Sequence, residues 1–392
     1  MSERTESVEG RAFDPARAAP QTPEPAWRVY LRTVQAVVWK DLAAEWRSRE
    51  LLGAMLVFSL LVILIFNFAL ELDARERQTV TSGVLWSTFA FAGTLGLNVA
   101  ETRTWQGPAF ERYWQVPPGT GARCAFLEHG ADPVGRIQLM EFGAARRKLV
   151  RPANVRRATG LFNLNIYASD IKSDYERLKS QGFKFWGVPA HNNFGPAVGE
   201  TMEAAFDGPD GVVINLIQLV TEDPKTVIGH IVNFVSGYGR TPTGFTPVVT
   251  TAHTVSDMEK ALAFYYGPLH MSLFIESVLQ GAETNRALSL PEDARTRSVI
   301  VQGNHEYGKI ALATPINYEI PNMVPDAAPP NIGYLAQSFQ VGDLDETASA
   351  CVAVGAEVFS GPMEIDLPGR GKCASMVVRN PGSGALQELF QV

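Results

Sequence analysis

Cysteine is scarce in this chain of 392 residues, and clustered positive charge is scarce after residue 160; each shortage argues against a class of protein. The three cysteines, Cys124, Cys351 and Cys373, lie far apart and form no CxxC pair. An odd number of separated cysteines gives no disulfide framework, so a reducing compartment is the simpler interpretation. The net charge of −7 and the lack of a dense Lys/Arg cluster after residue 160 argue against nucleic acid as a partner. No glycine-rich phosphate loop or Ser–His–Asp arrangement is recognisable either.

Two uncharged runs stand near the amino end of the chain. Leu51–Leu70 contains only Ser59 and Asn67 as polar residues, and about 20 apolar residues suffice for a helix to cross the bilayer. Val80–Ala100 is also uncharged and is richer in Gly, Ser and Thr, which let membrane helices approach closely. A short polar turn separates the two runs. The pattern predicts a transmembrane hairpin.

The residues around the hairpin predict its orientation. Basic residues are more frequent before the first span than in the turn, where only Arg75 and Arg77 occur. The positive-inside rule then places both chain ends in the cytoplasm. Apolar residues at helical spacing before the first span predict an interfacial helix, so residues 27–104 form one membrane region. Residues 1–26, rich in Pro, Glu, Ala and Arg, predict a disordered tail.

The membrane region resembles a known family. "KDLAAEWRSRELLGAMLVFSLLVILIFNFALEL" followed by "GVLWSTFAFAGTLGLN" is similar to the start of the CcmB family, the haem exporter permease subunit of cytochrome c biogenesis. The similarity covers about Val29 to Asn98. The resemblance implies common ancestry and membrane targeting; together with the two spans and the orientation above, it predicts an inner-membrane protein with cytoplasmic soluble domains. That family has more spans than the two present here, so the resemblance does not carry transport over.

After about Gly107 the composition changes to short strands, Gly/Pro turns and single helices. Three segments share one plan, in which an alternating strand leads into a helix that begins after an aspartate. The segments begin near Gly160, Thr246 and Asn331, and their capping residues are Asp170, Asp257 and Asp343. A repeated unit of one strand, one helix and further strands is therefore predicted.

This repeat resembles the vicinal oxygen chelate (VOC) superfamily, which includes glyoxalase, bleomycin-resistance and extradiol dioxygenase proteins. The resemblance covers about Phe110 to Val392 and implies βαβββ modules that pair into curved sheets around a cavity. The predicted fold class is α+β: a two-helix transmembrane hairpin followed by tandem βαβββ modules. Two VOC-like domains are expected, over residues 107–222 and 244–392.

The first of the four modules is truncated. "RCAFLEHG" and "GRIQLMEF" have the pattern of late strands, but the opening strand and helix are missing and the membrane hairpin stands in their place. The chain therefore has the organisation of a fusion. One sheet edge should be left unpaired, and exchange of strands with a second chain could cover it, which favours a homodimer.

Metal-using members of the superfamily take ligands from the first and last strands of a module. The corresponding first-strand residues here are Asn163, Thr250 and Ala336, and the last-strand residues are Leu139, Asn215, Leu312 and Glu388, with Glu141 near Leu139. Only Glu388 matches the family's pattern, and Glu141 nearly does. Because catalytic metal sites need about three protein ligands, we expect no divalent metal as a cofactor.

The remaining candidates are polar groups on predicted strands. Asn163, Asn165 and Tyr167 share one strand face, which is either the wall of a ligand cavity or a solvent-facing side. Together with Asn215, Thr250, Glu141 and Glu388 they are the candidates for a ligand cavity, and no catalytic residue is assigned. His253 has the opposite parity to Thr250, which predicts a packed histidine facing the helices.

Two functions follow from these patterns. The first is a membrane-anchored VOC protein that binds a small molecule, or transforms it as a lyase-like or dioxygenase-like enzyme. The second is a membrane component of haem export in cytochrome c biogenesis, too short for transport. The lipid bilayer is a partner in both.

Overall fold

The computed structural model describes residues 89–130, 133–143, 147–152 and 155–392. They belong to a single compact unit, Val80–Val392. The predicted disordered tail over 1–26, the interfacial helix and the first span Leu51–Leu70 lie outside the described residues.

Strands dominate the described part of the chain. The strands are β1 Asn98–Trp105, β2 Ala122–Glu128, β3 Ile137–Phe142, β4 Gly160–Tyr167, β5 Lys184–Phe185, β6 Ala190–Asn193, β7 Glu200–Asp207, β8 Val213–Leu219, β9 Thr250–Thr254, β10 Ser272–Leu279, β11 Thr296–Gln302, β12 Lys309–Pro315, β13 Ala336–Gln340, β14 Glu357–Leu367, β15 Gly371–Arg379 and β16 Leu386–Gln391. The α-helices are α1 Pro108–Trp114, α2 Ile171–Ser180, α3 Val227–Tyr238, α4 Met258–Tyr266, α5 Ala282–Ala287 and α6 Leu344–Ala353.

The end of the predicted second span has a different structure. Residues Phe89–Thr94 form a π-helical turn, and β1 begins at Asn98 and pairs with β2. Phe91, Leu95 and Leu97 are buried in a protein core, so their apolar surface is not available to lipid. Across the described ranges, no helix combines the length and apolar character needed to cross a membrane. The expectation of a span reaching Ala100 is therefore wrong at its carboxyl end, because the alternating segment "NVAETRTW" satisfies its backbone in a sheet.

The predicted helix caps are confirmed in all three repeats. The carboxylate of Asp170 accepts hydrogen bonds from the backbone of Lys172 and Ser173 at the start of α2. Asp257 and Asp343 cap α4 and α6 in the same way. Each cap satisfies backbone donors that a helix start leaves free, which fixes the point where strand gives way to helix.

One sheet joins the second and third modules. Its strand order is β10-β11-β12-β9-β4-β8-β7-β5, with β6 paired to β7. The first strands of the two modules, β4 and β9, pair antiparallel at its centre, with Asn165 opposite Thr250. Hydrogen bonds therefore cross the boundary drawn from the sequence between residues 222 and 244. The expected division into two domains at this boundary therefore differs from the structure, because β4 and β9, the first strands of the two modules, pair with each other.

The first and fourth modules form two smaller sheets. Strands β1-β2-β3 make one and β13-β16-β15-β14 make the other. A shared core that includes Trp105, Phe110, Phe359 and Phe390 holds them together. In the larger sheet, the first strand β4 lies between β8, the last strand of its own module, and β9, the first strand of the partner module. The missing first strand of module one therefore belongs between β3 and β13. The truncation predicted for module one is thus visible as an absent first strand and helix among the described residues.

The helices cover both faces of the larger sheet. On the face called here the outer face, α2 and α4 pack against alternate residues such as Ile166, Ile214 and Leu312. The opposite, inner face carries Asn165 and Asn215. Helix α3 packs there against Tyr167, and α5 contributes to a cavity.

Candidate functional site

The register of the central strands brings three of the sequence candidates together on the inner face. Asn165 on β4 lies opposite Asn215 on β8 and opposite Thr250 on β9. All three side chains are buried. Leu164 and Ile166, which alternate with Asn165, pack on the outer face with α2. The alternation predicted for β4 therefore produces a polar row inside the protein and not a solvent-facing side.

A hydrogen-bonded group extends this row to a carboxylate on β7. Asn215 Nδ2 donates to Asn165 Oδ1 at 3.1 Å and to Glu203 Oε2 at 3.0 Å. Thr201 Oγ1 donates to Glu203 Oε1 at 3.1 Å. Glu203 is the carboxylate that orients this row, since an ionised carboxylate can only accept.

A cavity of about 60 Å³ lies next to these groups. Glu203 and Asn215 form one polar wall, and two further polar lining residues bond to each other, since Thr284 of α5 donates to Asn192 Oδ1 at 2.9 Å. The remaining lining residues are apolar and come from β6, β7, β10 and the segments that flank them: Ala190, Phe194, Ala205, Leu279 and Leu288. A mostly apolar hollow with a few fixed polar groups is the usual form of a small-molecule site.

Asn163 and Tyr167 lie on the same strand face but outside this cavity. Asn163 is buried, and its Oδ1 has no hydrogen-bond partner among the described residues. Tyr167 packs under α3 with Ile228 and Tyr307, and burial raises the pKa of its hydroxyl. Helix α3 therefore fills the inner face beside Tyr167, which leaves the part near Asn215 open.

Glu388 occupies the inner face of the fourth module, where protein groups surround it. Tyr113 of α1 donates to Glu388 Oε1 at 3.0 Å, and Ser338 Oγ donates to Oε2 at 2.5 Å. Arg370 forms a salt bridge with Oε2 at 2.8 Å. Burial, followed by the charge of Glu388, raises the pKa of Tyr113 well above its usual range. The carboxylate is satisfied by these three donors, so this position has no room for a ligand oxygen.

Glu141 does not join Glu388. It lies on β3 and forms a salt bridge with Arg123 of β2, with 2.6 Å between Glu141 Oε2 and Arg123 Nη2. Met140 and Phe142, its neighbours along the strand, pack into the core that contains Tyr113. The pleat of β3 thus directs Glu141 away from the inner face of the fourth module.

The side chains at the family's metal positions do not fit a divalent cation. Asn163, Asn215 and Thr250 offer neutral oxygens, and Leu312 packs on the outer face with α4. Glu388 is already neutralised by Arg370. Within the described ranges, no three His, Cys, Asp or Glu side chains are close enough together to hold a metal ion.

His253 has the structural position predicted for it. It is fully buried on the outer face; Nδ1 lies 2.9 Å from the hydroxyl of Tyr265 and Nε2 lies 2.6 Å from Ser383 Oγ. Burial lowers its pKa to about 3, so the ring is neutral at physiological pH. The hydroxyl of Tyr265 in turn donates to Gln337 at 3.1 Å. This network connects the third module to the fourth.

Comparison with known proteins gives separate matches for the two parts of the chain. The family described as CcmB protein matches residues 32–112. The carboxyl end of that match includes β1 and the start of α1, which belong structurally to the first module. No curated protein matches the chain.

Solved structures with similarity to the chain include glyoxalases. Glyoxalase I from Zea mays is 18% identical, with a TM-score of 0.48 over 79% of this chain and 89% of that one. A glyoxalase family protein from Bacillus cereus is 20% identical, with a TM-score of 0.32 over 36% of this chain and 89% of that one. An antibiotic binding protein from a Streptomyces species is 17% identical, with a TM-score of 0.24 over 36% of this chain and 92% of that one. The fold assignment rests on the strand order and the module pattern, which are those of VOC-like sheets.

Sequence reasoning missed the residue that dominates the cavity. Glu203 lies on β7, which is neither the first nor the last strand of its module, and the family pattern directs attention only to first and last strands. A signal was present, because Thr201, Glu203 and Ala205 alternate with Met202, Ala204 and Phe206, which predicts a strand with one apolar face and a carboxylate on the other.

Proposed function

We propose that the chain is a membrane-anchored protein of VOC type that binds a small molecule in the cavity beside Glu203. The observation that supports this best is the cavity itself, in which a carboxylate and an amide face apolar walls. Both polar groups are held by neighbouring strands, so the site is formed before a ligand arrives. Asn165 accepts a hydrogen bond from Asn215 and so holds this wall, and Thr250 lies opposite Asn165 on β9.

Binding is favoured over chemistry by the content of the cavity. Among the described residues that line it, Glu203 is the one ionisable side chain, so no second titratable acid or base stands beside it. General acid–base or nucleophilic catalysis needs such a partner within hydrogen-bond reach. The neutral donors at the family's metal positions also favour binding without a divalent metal.

The anchoring part of the proposal rests on residues 27–88, because residues 89–104 are folded with the first module. Leu51–Leu70 has the length and composition of a span, and the match to CcmB protein includes it. We place the protein in the inner membrane, anchored by this span. Carbonate extraction of membranes tests this, and release of the chain into the supernatant would refute the anchor.

A cavity-filling variant tests ligand binding. Ala205→Leu adds bulk to the cavity wall, and Ala353→Leu makes the same change at an exposed position on α6. We expect some small molecule from a panel of amines, carboxylates and neutral compounds to raise the melting temperature of the wild type and of Ala353→Leu, but not of Ala205→Leu. If no compound of any class shows this pattern, the proposed function fails. Circular dichroism verifies that the variants fold.

A second candidate function is a role in cytochrome c biogenesis, which the match over residues 32–112 favours. Co-expression of this chain with the remaining spans of a permease should then restore haem export in a strain that lacks it. Absence of rescue would remove this candidate and leave the membrane region as an anchor.

A further inference from the structure

A carboxylate without a counter-ion faces the cavity, and it specifies the chemistry of the ligand. We infer that the cavity binds a protonated primary amine, as a short alkylammonium ion or as the ammonium end of a larger molecule. This inference rests on the proposed function, because it names the class of ligand for the same cavity.

Glu203 is held by neutral groups alone. Its partners are Thr201 Oγ1 at 3.1 Å and Asn215 Nδ2 at 3.0 Å, and no basic side chain of the described residues forms an ion pair with it. Lys309, which lies beyond Thr250 in the same row, bonds to Glu306 instead. This contrasts with Glu388, whose charge is balanced by Arg370. A negative charge beside a largely apolar wall is stabilised when a cation binds next to it.

The amide of Asn215 adds a second acceptor. Its Nδ2 points to Glu203, since an ionised carboxylate accepts hydrogen bonds and cannot donate them. The same nitrogen donates to Asn165, so both of its hydrogens are used. Asn215 Oδ1 accepts no hydrogen bond from any described residue and remains available at the cavity wall. The wall therefore offers a carboxylate and a carbonyl oxygen to a group with several donors, and an ammonium group has three.

The size and the apolar walls match a short alkyl chain. A volume of about 60 Å³ holds several water-sized groups. Leu279, Leu288 and Phe194 contact whatever extends from the ammonium group, and the ring of Phe194 can face a cation favourably. A carboxylate ligand would meet Glu203 with like charge, and a neutral alcohol would leave Glu203 without a counter-ion.

Three probes of similar size and different charge test the inference with the full-length protein. Propylammonium, 1-propanol and propionate are titrated at neutral pH and followed by NMR or calorimetry. For a ligand with so few heavy atoms we expect a Kd between about 0.1 and 10 mM for propylammonium. Its binding should be at least about tenfold tighter than that of the alcohol, and propionate should not bind.

Glu203→Gln keeps the shape of the side chain and removes the charge. We expect it to weaken propylammonium binding at least about tenfold and to leave 1-propanol unchanged. Glu200→Gln, a carboxylate on the opposite face of β7 bonded to Asn193, is the matched control and should bind as the wild type does. Should Glu203→Gln fail to fold, the comparison of propylammonium with 1-propanol in the wild type decides the matter.

The failures of the two proposals are distinguishable. If 1-propanol or propionate binds as tightly as propylammonium, or Glu203→Gln binds the amine unchanged, the amine inference is overturned while the cavity remains a binding site. If no probe and no panel compound binds in a manner sensitive to Ala205→Leu, both proposals fail.

Discussion

The second and third modules form one pair, and the first and fourth form the other. The two pairs are built from the same kind of module but differ in what occupies their inner faces. In the second and third modules, β4 and β9 meet at the centre and the sheet is continuous. The described residues of the first module contain no strand that corresponds to β4 or β9, and α1 packs its aromatic side chains, Phe110, Tyr113 and Trp114, against the fourth module. The complete pair has a cavity beside Glu203, whereas the aromatic side chains of α1 contact the inner face of the fourth module in the incomplete pair.

The difference extends to the buried carboxylates. Glu388 in the incomplete pair accepts from Tyr113 and Ser338 and pairs with Arg370. Glu203 in the complete pair has neutral partners and an adjacent cavity. A carboxylate that the protein has already satisfied stabilises the fold, and one that keeps an open side is suited to a ligand. The candidate site is assigned to the complete pair for this reason.

Loss of Arg370 should have the largest effect on the incomplete pair. Both members of the Arg370–Glu388 pair are buried, with side-chain exposures of 12% and 2%. Removing one partner of such a pair costs about 3 to 5 kcal/mol, because it leaves an uncompensated charge. We expect Arg370→Met to lower the free energy of unfolding by about this amount in chemical denaturation.

A double variant shows whether charge is the cause. In Arg370→Met/Glu388→Gln the buried charge is gone, and the amide of the glutamine can accept from one of the two hydroxyls, Tyr113 or Ser338, and donate to the other. More than half of the lost stability should return. If the double variant is as unstable as Arg370→Met alone, the contribution of Arg370 is packing on Phe390, whose ring centroid lies 4.1 Å from its guanidinium carbon.

Acid should weaken the junction between the two pairs. His253 has a pKa of about 3 in the folded protein against an ordinary value of 6.5, because burial disfavours its charged form. Between these values the unfolded chain binds a proton that the folded chain does not. The free energy of unfolding therefore has its full value above about pH 6.5, as far as His253 is concerned, and decreases as the pH falls below it. The loss is about 1.4 kcal/mol per pH unit, or about 2 kcal/mol at pH 5.

The measurement compares the slope of unfolding free energy between pH 6.5 and pH 5 in the wild type and in His253→Asn. The carboxylates titrate in both proteins, so both retain a slope. The slope should be shallower in His253→Asn, whatever the absolute stability of that variant, because the contribution of the histidine is gone. Equal slopes in the wild type and His253→Asn would contradict the assignment of a neutral buried ring.

Local patterns in the sequence predicted much of the fold but not the pairing of modules. The capping aspartates and the alternation in β4 were readable because they depend on residues within a few positions of each other. The partner of β4 was not readable: β9 is distant in sequence, and either a neighbouring or a distant module could have supplied it. Val80–Ala100 was misjudged at its end because burial among protein side chains and burial in lipid favour the same apolar residues. Glu203 was missed since its significance depends on α5, which closes the cavity from another module.

The smallest expected effect concerns the gap between β3 and β13. In β4, backbone amides can bond to a strand on either side, β8 or β9. Strands β3 and β13 have one partner each among the described residues, β2 and β16. Roughly alternate amides of each should therefore lack a sheet partner, and we expect them to exchange with solvent at least about tenfold faster than the amides of β4.

Hydrogen exchange read out by NMR or mass spectrometry measures this difference. Uniform protection along β3 and β13 would contradict an open gap and would mean that another segment occupies it. Repeating the exchange after dilution then identifies the source, because a strand from a second chain leaves on dilution and a segment of the same chain does not. Loss of protection when the protein is diluted would support the proposed homodimer, in which one chain supplies the strand that the other lacks.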